Sequence, residues 1–137
     1  MKQIAGLLAI VIGLAACQKD RIEDDMRLAS ASAKEELYGR YLGTFSRNGM
    51  DSARVNILFN SDNTFEGQSD NPRVPIICSG TFSLNGSTLV VDNSCNAEDA
   101  ADPSLLFEGT WTVTFIDEFK VKIMKGADVY DLSRMQR

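Results

Sequence analysis

The chain has 137 residues, 14 Lys and Arg against 19 Asp and Glu, a net charge of −5 and no histidine. That length is one domain's worth of chain, and its scattered, outnumbered cations exclude a phosphate-binding surface, so no nucleic-acid partner is expected. Without histidine the commonest general base, the Ser-His and Cys-His nucleophile pairs and every His-containing zinc site are missing, so neither an enzyme nor a bound cofactor or metal is expected.

Lys2 gives the chain a positive start, and Ile4 to Leu14 contain only Ile, Ala, Gly, Leu and Val. This apolar run is a signal-peptide core, too short to span a bilayer, which takes roughly 20 residues. Leu14-Ala15-Ala16-Cys17 resembles the lipobox of bacterial lipoproteins, in which small residues precede a Cys that becomes the lipidated N-terminus. The resemblance implies removal of residues 1–16, acylation of Cys17, and a membrane as partner through that lipid. Two or more acyl chains anchor a protein stably where one binds reversibly. Gln18, directly after the Cys, resembles the sorting pattern of outer-membrane lipoproteins. Residues 17–36, from Gln18-Lys19-Asp20-Arg21 to the Ala and Ser of 29–33, offer little to pack and have the composition of a flexible tether. Their charged beginning is also similar to the export tract of surface-displayed lipoproteins in some Gram-negative bacteria, although any tether is polar. The expected location is the cell envelope, at the outer membrane.

Residues 37–137 would form the folded domain. Lys34-Glu35-Glu36-Leu37 is a candidate helical turn. Short β-branched and aromatic runs then recur between clusters of Asn, Asp, Gly and Ser, the pattern of an all-β protein. Eight strands are expected, over 39–47, 53–59, 64–69, 75–84, 87–93, 104–116, 119–124 and 127–134, forming a small antiparallel meander barrel.

Residues facing each other across a hairpin lie on one face of the sheet, which fixes how the strands can align. A Ser61-Asp62-Asn63 loop sets Phe59 against Phe65. A two-residue turn at Asn85-Gly86, the type I′ pair, sets Phe82 against Leu89 and Gly80 against Val91. Lys125-Gly126 likewise sets Val121 against Tyr130 and Phe119 against Leu132. A two-residue turn at Asp117-Glu118 would place Phe115 against Lys120, so a three-residue loop, Ile116 to Glu118, is expected, pairing Phe115 with Phe119 and Trp111 with Ile123.

With Cys17 lipidated, Cys78 and Cys95 remain in an oxidising compartment, where a disulfide can form and persist. In the expected alignment Cys78 faces Asn93 and Cys95 faces Ile76, a diagonal of roughly 7 to 8 Å that is slightly too long for a bridge. A bulge near Pro75 or Asn93 would close it, and free buried thiols are the alternative.

Gly39-Arg40-Tyr41 after a short helical turn is similar to the Gly-x-Trp that opens a lipocalin barrel, and Tyr130-Asp131-Leu132-Ser133-Arg134 resembles its closing strand. Over residues 37–137 the chain thus resembles the small lipocalin-like domains of bacterial lipoproteins. The resemblance implies that Gly39, Tyr41 and Arg134 close the barrel, with Arg134 packed across Tyr41. Tyr41, Phe45, Phe107, Trp111 and Tyr130 would either line a ligand cavity or fill the interior.

Asn60-Ser61-Asp62-Asn63-Thr64 is similar to the start of a calcium loop, but Phe65 and Asn71 stand where Gly and Glu are needed. The acids of the 92–103 loop, Asp92, Glu98, Asp99 and Asp102, are the pattern of a solvated loop. The reading that emerges is a monomeric, non-enzymatic binding module taking a small apolar ligand or a protein at its open end. The alternative is a lipid-anchored inhibitor of a hydrolase, such as a lysozyme or protease, acting through the 92–103 loop.

Overall fold

The computed structural model describes residues 37–96, 98, 100 and 102–136. The leader, Cys17, the tether and all of the expected helical turn except Leu37 lie outside the described residues, as does Asp99. Eight strands follow one another: β1 (Gly39–Ser46), β2 (Ala53–Phe59), β3 (Thr64–Ser69), β4 (Ser79–Asn85), β5 (Thr88–Asn93), β6 (Gly109–Phe115), β7 (Lys120–Lys125) and β8 (Asp128–Arg134). Each pairs antiparallel with the next, and β8 returns to pair with β1, so the sheet is a closed meander barrel with no free edge. Alternation decides which residues enter it: in β2, Ala53, Val55, Ile57 and Phe59 are buried while Arg54 is exposed. The closing seam sets Tyr41 opposite Arg134 and Phe45 opposite Tyr130. Between them Gly43 lets β1 bend against β8, since a Cβ there would collide with the Asp131 carbonyl.

The Phe59–Phe65 pair stands as the sequence predicts, with Asn63 at φ 65° and Asp62 Oδ1 accepting the Thr64 N–H at 3.1 Å. The other three hairpins are displaced by two residues from their expected alignment. Phe82 faces Val91, Leu84 faces Leu89, Val121 faces Leu132 and Ile123 faces Tyr130. The physical reason is the turn type. Gly86 (φ 61°) and Gly126 (φ 59°) occupy the first central position of turns whose second residues are Ser87 and Ala127, neither with a positive φ. That is Gly-X type II′ rather than Asn-Gly type I′. In the β6–β7 loop the odd length holds but the three residues are Asp117 to Phe119, because Ile116 N–H bonds the Lys120 carbonyl at 2.9 Å and Asp117 Oδ1 accepts from Phe119 and Lys120.

The corrected β4–β5 alignment resolves the cysteines. Gly80 faces Asn93 and Ser94 N–H bonds the Ser79 carbonyl, so one step further Cys78 faces Cys95 directly. The two form a disulfide with Cα atoms 5.6 Å apart and need no bulge.

Two expected strands are shorter than the sequence suggests. Residues 75–78 precede β4 as a connector that begins with a cis Val74-Pro75 peptide, and 104–108 precede β6. Pro103–Leu105 is a 3-10 turn capped by Asp102, whose Oδ1 accepts the Ser104 N–H at 3.0 Å. The two connectors meet in a parallel bridge between Ile76 and Leu106, with Ile76 N–H to the Leu105 carbonyl and Phe107 N–H to the Ile76 carbonyl, both 3.0 Å. Their apolar runs are therefore not strand faces. Ile77, Leu105, Leu106 and Phe107 are buried and stopper one end of the barrel.

Candidate functional site

The barrel interior is occupied by its own side chains. Phe45 and Tyr130 have ring centroids 4.9 Å apart, Tyr130 and Phe107 4.9 Å, Phe107 and Trp111 5.3 Å, and Trp111 and Tyr130 5.3 Å. Nearer the other end, Tyr41 meets Phe59 at 5.9 Å and Phe59 meets Phe82 at 5.0 Å. These are edge-to-face and tilted contacts of a packed aromatic core. Phe45, Phe107, Trp111 and Tyr130 thus bury their rings against one another, and Tyr41 buries its ring against Phe59. Tyr130 Oη has no hydrogen-bond partner among the described residues. Burial pushes its hydroxyl well above the usual tyrosine range, and the neighbouring Asp128 carboxylate adds to the shift.

Where the chain enters the barrel, Arg134 donates from Nε and Nη2 to Tyr41 Oη at 3.1 and 2.8 Å, and its guanidinium carbon lies 5.4 Å from the ring centre. Gly39, at φ 136°, lies beside the same arginine, where an added Cβ would sit 3.5 to 3.6 Å from the Arg134 Nε, Cδ and Cγ. These three residues lie together where β8 returns to pair with β1.

The opposite end carries the connections from β3 to β4 and from β5 to β6, and between them opens a groove of about 690 Å³. Pro72, Val74 and Ile76 form one wall, the Cys78–Cys95 disulfide the back, and Asn96, Ala100 and Leu105 the other wall. The disulfide fixes one side against the other. The buried Asn93 amide adds a second tie, donating to the Ile76 carbonyl at 3.2 Å and accepting the Cys95 N–H at 3.2 Å. At the rim Arg73 is exposed. Asp102, also at the rim, is held below the usual carboxylate range by Ser104 hydroxyl and backbone bonds. Arg47 clamps this side of the groove: it donates to both oxygens of the buried Asp128, at 2.5 and 2.7 Å, and to the Ser104 hydroxyl and carbonyl, each at 2.9 Å.

A volume of that size, lined mainly by apolar groups with a few fixed polar ones, falls in the usual range of small-molecule sites. It supplies shape, apolar surface and one exposed cation. Among the described residues no group of three His, Cys, Asp or Glu could hold a metal ion. Of the predicted site residues, Cys78 and Cys95 contribute to this groove, while the aromatic set lies inside the barrel and the closure trio at its far end. Sequence reasoning missed the groove itself. Its walls come from segments separated by the whole β4–β5 hairpin, and each wall reads as strand when taken alone.

A comparison with protein-family models found no match, and neither did one with curated proteins. Among solved structures, a lipocalin-like protein from Bacteroides uniformis is similar, with a TM-score of 0.43 and 11% identity over 73% of this chain and 99% of that one. The fold assignment rests on the strand order and closure described above.

Proposed function

We propose that the chain is a monomeric, non-enzymatic binding module of the cell envelope, anchored in the outer membrane through lipid on Cys17, whose lipocalin-like barrel is a rigid pedestal for a ligand site in the groove between residues 72–78 and 95–105. The observation that carries this reading is the pairing of a filled interior with an apolar groove held open by a disulfide. A packed core has no room for a ligand, and rigid walls cost less to organise on binding. Its occupant is a small, largely apolar molecule. The lipobox-like Leu14-Ala15-Ala16-Cys17 supports the anchoring.

The test is native mass spectrometry of the protein taken from its own host's envelope without denaturation, beside a Val74→Asp variant that places a charge in one wall. A copurifying small molecule that the variant loses, with unchanged far-ultraviolet circular dichroism, is the expected result. A bare protein mass in both would refute the carrier reading.

The inhibitor alternative draws support from the same anchors. The 94–102 segment is pinned at Cys95 by the disulfide and at Asp102 by Ser104 and Arg47, and it holds the exposed Glu98 between them. Excision of 96–101, which spares Asp102, abolishes inhibition of a target hydrolase on this reading and leaves it intact if the loop is not the inserter.

A further inference from the structure

The end of the barrel opposite the groove carries its own signature. It consists of the start of β1 with Tyr38, the 60–63 and 86–87 turns, the 116–119 loop and the residues after β8. Here Ile116 (52%), Phe119 (39%) and Met135 (47%) are exposed large hydrophobics. Phe119 and Met135 are drawn together by backbone bonds, Arg134 N–H to the Phe119 carbonyl at 2.6 Å and Met135 N–H to the Arg40 carbonyl at 2.8 Å. With Tyr38 and Leu58 they border an open depression of about 840 Å³, which Arg40 and Arg134 also line. We infer that this end rests on the lipid bilayer, with Ile116, Phe119 and Met135 in the interface, so that the groove at the other end faces away from the membrane.

Three features single out a lipid surface as the occupant. The first is where the chain comes in. Residues 18–36 separate Cys17 from Leu37, and Leu37 and Tyr38 lie at this end. Even fully extended, a stretch of that length reaches at most about 70 Å, so lipid on Cys17 keeps this end of the barrel near the bilayer, where even a weak interfacial affinity would be populated. The second is composition, because exposed aromatic and aliphatic side chains beside arginines suit the headgroup boundary. The third is charge. At this end Arg40, Lys120 and Arg134 nearly balance Asp62, Glu66, Asp117 and Glu118, with Glu66 paired to Arg40. At the groove end the exposed Asp51, Asp70, Asp92, Glu98, Asp102 and Glu108 outnumber Arg54, Arg73 and Lys125. A surface containing anionic lipid repels the second end and tolerates the first.

The inference rests on anchoring at Cys17, and the experiment separates the two. Residues 17–137 are coupled at Cys17, the one thiol outside the disulfide, to a maleimide lipid. The product is placed in nanodiscs of zwitterionic and anionic phospholipid containing a headgroup nitroxide, so the orientation is read whether or not the cell acylates the chain. Native acylation is read independently from the mass of the envelope-purified protein. Three of the four methionines in residues 17–137 are built-in reporters under methyl 13C labelling, in a Met26→Leu background that removes the signal next to the anchor: Met135 at the proposed membrane end, Met50 before β2 and Met124 near the end of β7 toward the groove. The expected result is paramagnetic broadening several-fold greater at Met135 than at Met50 or Met124, lost in Ile116→Asp/Phe119→Asp while the Met50 shift stays put. Equal broadening at all three, greater broadening at Met50, or a Met135 unaffected because the chain's own 18–36 segment covers it, would each overturn the inference.

Discussion

Two tyrosines point into this barrel, and they should respond oppositely to loss of the hydroxyl. Tyr130 is fully buried and its Oη has no hydrogen-bond partner among the described residues, so it bears the desolvation cost of a buried polar group without the compensating bond. That cost is about 1 to 3 kcal/mol. Tyr130→Phe keeps the ring contacts with Phe45, Phe107 and Trp111 and removes only the orphan oxygen, so it should stabilise the domain by about 1 to 2 kcal/mol at neutral pH. For a domain of this size each kcal/mol is worth roughly 4 to 8 °C in Tm. The assay is urea unfolding, where the midpoint should rise at unchanged m. The alkaline limb gives an independent readout. Burial raises the folded-state pKa above the unfolded value of about 10. Above that pH the unfolded state releases the proton first, and wild-type stability falls by about 1.4 kcal/mol per pH unit from this group alone. The stability difference between variant and wild type should therefore widen as pH rises past 10. A lower midpoint for Tyr130→Phe, or a constant difference across that range, would show that the hydroxyl is satisfied in solution and refute the reasoning.

Tyr41→Phe should destabilise, because the Oη it removes accepts two bonds from Arg134; about 1.5 to 3 kcal/mol is expected from the urea midpoint. Cys78→Ala/Cys95→Ala opens a loop of sequence separation 17 and should cost about 3 kcal/mol, measured beside wild type under non-reducing conditions. Asp128→Ala leaves the partly buried Arg47 guanidinium without its bidentate partner and should cost about 3 kcal/mol. Arg47→Met/Asp128→Leu should recover much of that loss, and a double variant as unstable as the single one would contradict it.

The strand set was legible because alternation in a closed barrel is strict: Val55, Ile57 and Phe59 inside with Arg54 outside leaves little freedom. The alignments were less so. Placing Gly86 or Gly126 first rather than second in its turn displaces the pairing by two residues, which preserves every inward face, so burial patterning is blind to the difference. The cysteines were the available arbiter. Direct opposition of Cys78 and Cys95 demands the Gly86-Ser87 turn, whereas the Asn85-Gly86 turn leaves them on a diagonal. The connectors misled for another reason. Ile76-Ile77 and Leu105-Leu106-Phe107 are as apolar as strands because they bury against the barrel's end, and Pro75, Pro103 and Gly109 at positive φ were the marks of irregular backbone.

The same economy accounts for where binding chemistry can sit. A domain of about 100 residues that hollowed its barrel would forfeit contacts among Phe45, Phe107, Trp111 and Tyr130, and large-to-small changes at such rings cost about 3 to 5 kcal/mol each, against a total stability of roughly 5 to 15. Side chains free to face a ligand are then left to the ends. At one end the β2–β3, β4–β5 and β6–β7 turns are too short to enclose anything. At the other, 70–78 and 94–108 are long enough to build walls, yet long irregular segments would be poorly defined unless tied. The disulfide, the Asn93 amide and Arg47, which bridges Asp128 to Ser104, supply those ties. They join the two connectors to each other and to the barrel instead of reinforcing the already closed sheet. Staples concentrated at one end are what a preformed groove requires and what a merely stable barrel does not.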